Sequence, residues 1–257
     1  MGGIMTGWAT GNYEAAGYIA PLMYFIGVAA VLVSAIILKK TKPFSGEAAP
    51  FVMELPAYHI PSAKTVLMHT WERLWGFIKK AGTILFLACI VMWVLSTFGF
   101  ENGGFGAVED VSNSLMALLG GAIAWIFAPL GFGSWQPVAA SISGFSAKEA
   151  IVTTMGVLAN VDESMVEETA VVGAAIQSWF PNVAAAFSFL VFNLLDSPCL
   201  AAIATMAQQM QSRKWFWFAV LYQNVFAYGV SLCVYQLGSV ILGAPVGLGT
   251  AAAALIL

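Results

Sequence analysis

Residues 17–38 read GYIAPLMYFIGVAAVLVSAIIL, without one charged side chain. A helix crosses the hydrocarbon core with about 20 apolar residues, so this stretch reads as a membrane span. Residues 81–98 and 215–237 are equally plain spans. Three more segments carry breakers or polar residues: 115–131, 135–158, and 170–210, the last interrupted at Pro181 and Pro198. The tail 238–257 is long enough to cross, although Gly and Pro weaken it. The whole chain agrees with this reading: of its 257 residues 60% are hydrophobic and 9% charged, with a mean hydropathy of +0.84. A water-soluble domain does not have that composition. The expected fold is an all-α polytopic membrane bundle of six or seven hydrophobic segments, some of them broken or re-entrant.

Basic residues set the expected orientation, because short cytoplasmic loops carry the excess of Lys and Arg. Lys39, Lys40, Lys42, Lys64, Arg73, Lys79 and Lys80 fall between the first two spans, and Arg213 and Lys214 precede the span at 215. Segments 39–80 and 211–214 are therefore expected in the cytoplasm and the amino terminus outside. The opposite loops hold Glu101, Glu109 and Asp110, then Asp162, Glu163, Glu167 and Glu168. Only Lys148 is left at membrane depth. Between 62 and 80, Val66, Leu67, Trp71, Leu74, Phe77 and Ile78 recur at helical spacing opposite Lys64, Glu72, Arg73 and Lys79, which describes an amphipathic helix on the inner leaflet. Three parts result: 1–61, the first span and a cytoplasmic loop; 62–98, the amphipathic helix and second span; 99–257, a membrane region with broken helices.

Several classes are excluded. The net charge is −3 and no Lys/Arg cluster marks a nucleic-acid face. Cys89, Cys199 and Cys233 are too scattered for a disulfide framework or a metal knuckle, and Cys89 and Cys233 read as apolar filler. The first residues show no signal-peptide pattern. No Gly-rich phosphate loop with Lys-Ser or Lys-Thr occurs, so the chain is expected to bind no GTP, to hold no permanent cofactor and to be no enzyme.

A charged group in hydrocarbon is costly, so an intramembrane carboxylate points to function or to a paired partner. The run Phe192-Asn-Leu-Leu-Asp-Ser-Pro-Cys199 places Asn193, Asp196 and Cys199 at i, i+3 and i+6. Pro198 has no N–H for the carbonyl four residues earlier and crowds it, which frees backbone near Leu194 and Leu195. Broken helices of this kind form substrate sites in many transporters. Thiolate, carboxylate, amide and free carbonyl together suit a borderline divalent metal such as Fe²⁺, Mn²⁺ or Zn²⁺. In the second constellation, Ser143, Ser146, Glu149 and Thr153 share one helix face and read as a polar wall of a passage. Lys148 and Glu149 diverge on a helix, so each needs a partner elsewhere. An ion pair of Lys148 with Asp196 is the alternative to a metal at Asp196, and the two are not exclusive. Ser146 and Lys148 diverge too far for a nucleophile pair, and His59 and His69 read as surface residues.

Several motifs in order carry a resemblance: Pro50-Phe-Val-Met-Glu-Leu-Pro-Ala-Tyr-His-Ile-Pro61, Thr70-Trp-Glu-Arg73, Lys79-Lys-Ala-Gly82, Ser134-Trp-Gln136, Gly144-Phe-Ser-Ala-Lys-Glu149 and Val234-Tyr-Gln236. From about residue 17 to 238 the chain resembles the carboxy-terminal membrane region of ferrous iron transport protein B. The resemblance implies multi-pass residence in a prokaryotic inner membrane, Fe(II) as the transported ion, and a second gate whose cysteine is Cys199. Many relatives have a further cysteine where Asp196 stands here. The family's GTPase domain and first gate are not recognised in this sequence, so a separate chain carrying them is an expected partner beside the lipid bilayer; a homo-oligomer stays open. Two other readings remain open at this point: a carrier of nucleoside-like organic solutes, and a non-transporting interaction fragment.

Overall fold

The computed structural model describes residues 16–41, 44, 62–101, 104–108, 110–159, 169–243 and 248–256. Lys42, the run 50–61 with His59, and Glu109, Asp162, Glu163, Glu167 and Glu168 lie outside the described residues.

Helix α1, Ala16–Lys39, ends on a basic residue, whose charge suits the negative end of a helix dipole. Helix α2, Ala63–Thr97, has 35 residues, about 52 Å at 1.5 Å per residue. The amphipathic stretch and the second span are thus one uninterrupted helix. Directly after it, β1 (Phe98–Glu101) pairs antiparallel with β2 (Gly104–Ala107), Phe98 opposite Ala107 and Phe100 opposite Phe105. The purely helical reading did not contain this hairpin. A short 3-10 turn, Val111–Asn113, follows; Asp110 accepts the Ser112 N–H at 2.9 Å, and that bond holds its carboxyl below the usual range.

Helix α3, Leu115–Phe127, begins at Ser114, whose Oγ accepts the Ala117 N–H. After a 3-10 turn, Ala128–Leu130, comes α4, Trp135–Gly144, bent by 100° from α3. Gly120 permits this close crossing, since a Cβ there would lie 2.8 Å from the Trp135 carbonyl oxygen. The corner is Gly131, with φ +89°, where a Cβ would lie 2.4 Å from the Tyr235 ring. We expect Gly131→Val to combine left-handed strain with overpacking and to cost roughly 3 kcal/mol. Heating the membranes and measuring what stays soluble in detergent checks this.

The chain continues as α5 (Ala150–Leu158), α6 (Thr169–Ile176), a 3-10 turn (Gln177–Trp179), α7 (Val183–Leu195), α8 (Leu200–Gln209), α9 (Arg213–Ile241) and α10 (Leu248–Ile256). Among the described residues four helical stretches are long and apolar enough to cross a membrane: Tyr18–Lys39, Ala63–Thr97, Val183–Gln209 across the α7–α8 break, and Arg213–Ile241. The bent pair α3–α4 makes a fifth if it counts as one. The fold is the expected helical membrane bundle, and among the described residues four or five of the six or seven expected hydrophobic segments are long and apolar enough to cross. Residues 135–158 are split between Gly144 and Ala150, and α10 has only 9 residues. Hydropathy records how apolar a stretch is and is blind to where the backbone turns back.

The centre of the bundle is α7 packed along α9. Phe189 and Phe192 meet Phe132 at 5.3 and 5.9 Å between ring centroids, and Phe192 meets Phe127 edge-on. Ser188 of α7 and Ser231 of α9, both fully buried, bond each other's hydroxyl and carbonyl at 2.7 to 3.0 Å, the polar contact that fastens helices where water is absent. Half of the apolar part of α7–α8 is buried, against 6% in α1 and α2. The broken helix is therefore the enclosed one.

Candidate functional site

Helix α7 stops at Asp196, which turns extended (φ −63°, ψ 174°) while its N–H still reaches the Phe192 carbonyl at 2.8 Å. Pro198 offers no N–H to Leu194, and α8 starts after Cys199. A second interruption lies opposite, in the turns between α4 and α5. The two breaks meet: the Leu200 N–H donates to the Phe145 carbonyl at 2.8 Å. Lys148 then reaches across, and its Nζ donates to the main-chain oxygens of Asn193 (2.7 Å) and Asp196 (3.4 Å) and to the Asp196 carboxylate. An ammonium thus faces the negative end of α7 and a carboxylate at once. Asp196 is 4% exposed and Lys148 33%.

Lys148, Asp196, Asn193 and Cys199, singled out from sequence, each have a definite place at these breaks. Lys148 and Asp196 form the ion pair that stood as the alternative to a metal. Asn193 is buried; its amide N–H donates to the Phe189 carbonyl at 2.8 Å, while its Oδ1 is buried without a donor. Cys199 caps α8 with no side-chain bond to its first turn and is partly exposed. Among the described residues no three His, Cys, Asp or Glu side chains cluster as metal ligands, so an ion held here would depend on backbone oxygens as well.

The polar stripe is corrected. Ser143 donates to the Ala140 carbonyl at 2.6 Å, and Ser143, Ser146 and Thr153 line a cavity of about 300 Å³ between α2, α3, α4 and α5. Glu149 is exposed and does not line it, because the helix that would align it with Ser146 is interrupted between Gly144 and Ala150. Cys89, read as filler, also lines this cavity. A larger cleft of about 980 Å³ between α1 and α9 approaches the α7–α8 break from another side, at Leu194, Leu195 and Gln223.

Two residues of α9 were missed. Gln223 donates to the Asp196 carbonyl at 3.3 Å, and Asn224 donates to the Ser197 hydroxyl at 2.6 Å. They hold the extended segment in place of the helical bonds it lacks. Neighbouring amides inside an apolar span are the signal that marks them.

Residues 20–73 match the family model described as Ferrous iron transport protein B C terminus, and residues 78–213 match the Gate model, described as Nucleoside recognition. The chain belongs to the ferrous iron transport protein B family. The Gate match takes in both helix breaks. Proteins described as Fe(2+) transporter FeoB are similar along most of the chain. The FeoB of Staphylococcus aureus strain MSSA476 is 34% identical over 217 residues, covering 84% of this chain and 31% of the relative. For Methanocaldococcus jannaschii the values are 33% over 234 residues, 88% and 33%, and for Shigella flexneri 27% over 264 residues, 84% and 34%. The chain spans about a third of the length of these curated FeoB relatives. No solved structure matches it.

Proposed function

We propose that this chain forms part of a path for ferrous iron across a prokaryotic inner membrane, acting with a GTPase and first-gate part of the transporter that another chain or segment supplies. One observation carries the reading: two helix breaks meet inside the bundle around a cation held by main-chain and carboxylate oxygens. Broken helices that turn backbone oxygens toward a cation inside the membrane are the arrangement that cation carriers use.

In this reading Cys199 offers sulfur, Asp196 and Asn193 offer oxygen, Pro198 keeps the backbone open, and Ser143 and Ser146 give the adjoining cavity its polar wall. The chain's part is passage, not catalysis, and Fe(II) is cargo. The orientation places segments 39–80 and 211–214 in the cytoplasm. It is supported by Phe44, which packs on Trp215 at 5.1 Å and so brings the basic end of α1 beside the basic start of α9. The test is uptake of radioactive ferrous iron by cells lacking their own uptake system, supplied with the chain together with the remaining two thirds of a relative. Uptake that depends on this chain supports the reading. Assembly without uptake, or uptake of a labelled nucleoside instead, overturns it.

A further inference from the structure

The ammonium of Lys148 stands inside a set of oxygens that a metal cation would also choose. Its Nζ bonds the carbonyl oxygens of Asn193 and Asp196 and the Asp196 carboxylate. Carbonyl and carboxylate oxygens are the ligands of hard and borderline divalent cations. The carbonyls are available because α7 ends there, and Gln223 fixes the one at Asp196. On Asn193, whose carbonyl is one of these oxygens, the side-chain Oδ1 is a buried acceptor that the fold leaves without a donor, on a residue only 8% exposed. An unpaired buried acceptor calls for an explanation.

Two features mark the ammonium as displaceable. Lys148 keeps a third of its side chain exposed, whereas Asp196 is enclosed. Lys148 also stands in the turns between α4 and α5 and not within a helix, so its side chain is free to swing out without unwinding an element. A divalent ion gains twice the Coulomb attraction to the same carboxylate, and it gives up more hydration to do so. Near balance between those terms favours exchange over permanent binding, as conduction requires.

We propose that this oxygen cage is a divalent-cation site closed by a tethered cation: the Lys148 ammonium occupies it at rest, an arriving ion displaces it, and the ammonium returns as the ion leaves. The proposal rests on the iron-path reading and adds Lys148 as its gate.

The test uses the full chain in permeabilised native membranes with Mn²⁺, or Fe²⁺ kept reduced, as the probe. An amine-reactive acylating reagent labels lysines, and mass spectrometry compares Lys148 with the exposed Lys64. We expect the ion to raise Lys148 labelling about tenfold, as an order-of-magnitude preference for the ion-bound state requires, with Lys64 unchanged. Unchanged or reduced labelling of Lys148 overturns the proposal. A second measurement follows heat stability: Lys148→Met should gain more from Mn²⁺ than the unaltered chain, and Lys148→Met with Asp196→Asn should gain nothing. Equal responses in the single and double variants overturn it as well, and if Lys148→Met does not fold the labelling decides. Intact iron uptake with unresponsive labelling removes the gate and leaves the iron reading standing. A labelling response without uptake keeps the cage and removes the iron reading.

Discussion

Lys148→Met should be among the most damaging single substitutions in this chain, lowering stability by about 3 kcal/mol when chelator is present. The ammonium is the only cationic partner recorded for the Asp196 carboxylate among the described residues. Removing one member of an enclosed pair leaves the other charge uncompensated, which typically costs about 3–5 kcal/mol; partial exposure of Lys148 argues for the lower end. Asp196→Asn should cost less, since the ammonium keeps the two carbonyls and its access to water. The double variant, Lys148→Met with Asp196→Asn, should recover much of the loss, because no charge then remains unpaired. A double-mutant cycle on heat stability in membranes reads this coupling, which for groups in direct contact reaches about 0.5–3 kcal/mol. Additive losses would mean that the pair does not hold the two breaks together.

The second large effect is on transport. Cys199→Ser should leave membrane insertion and heat stability intact, since the thiol makes no capping bond to α8 and is partly exposed. In the assembled transporter it should lower ferrous uptake by about tenfold or more, because losing even a supporting residue of a metal site commonly costs 10–100-fold. A serine hydroxyl keeps the size but gives up the soft, polarisable donor proposed for Fe(II). Unchanged uptake would remove sulfur from the mechanism and leave an oxygen path alone.

Much of this architecture is legible in the sequence, and the reasons differ between parts. The long spans follow from uninterrupted apolar runs, which only a helix satisfies in lipid. The α7–α8 break follows from Pro198; the rule that a membrane-depth charge must be compensated requires a partner for Lys148 and offers Asp196 as a candidate, with a metal at Asp196 as the other reading. The break between Gly144 and Ala150 does not follow, because Phe145-Ser-Ala-Lys-Glu149 contains no helix breaker; the turn there depends on tertiary bonds from Leu200 and from the carbonyls that hold Lys148. That omission produced the continuous polar stripe and the misplaced Glu149. The same limit explains the 100° bend after α3, where Gly131 and Gly120 permit a corner that hydropathy does not register. Gln223 and Asn224 were overlooked although they are polar residues in an apolar span, and their partners were not legible. Their importance comes from facing a segment with unmet backbone bonds, and that pairing exists only once α7 and α9 are packed.

The most direct test of the central claim, that the junction of the two helix breaks admits a divalent ion, is the alkylation rate of Cys199 in the assembled transporter. Cys89→Ala and Cys233→Ala make Cys199 the only reactive thiol of this chain, and the rate is measured with and without reduced ferrous ion. The account predicts that ferrous ion slows alkylation and that Asp196→Asn abolishes this protection. A rate unaffected by the ion, or one slowed by a nucleoside instead, would contradict it.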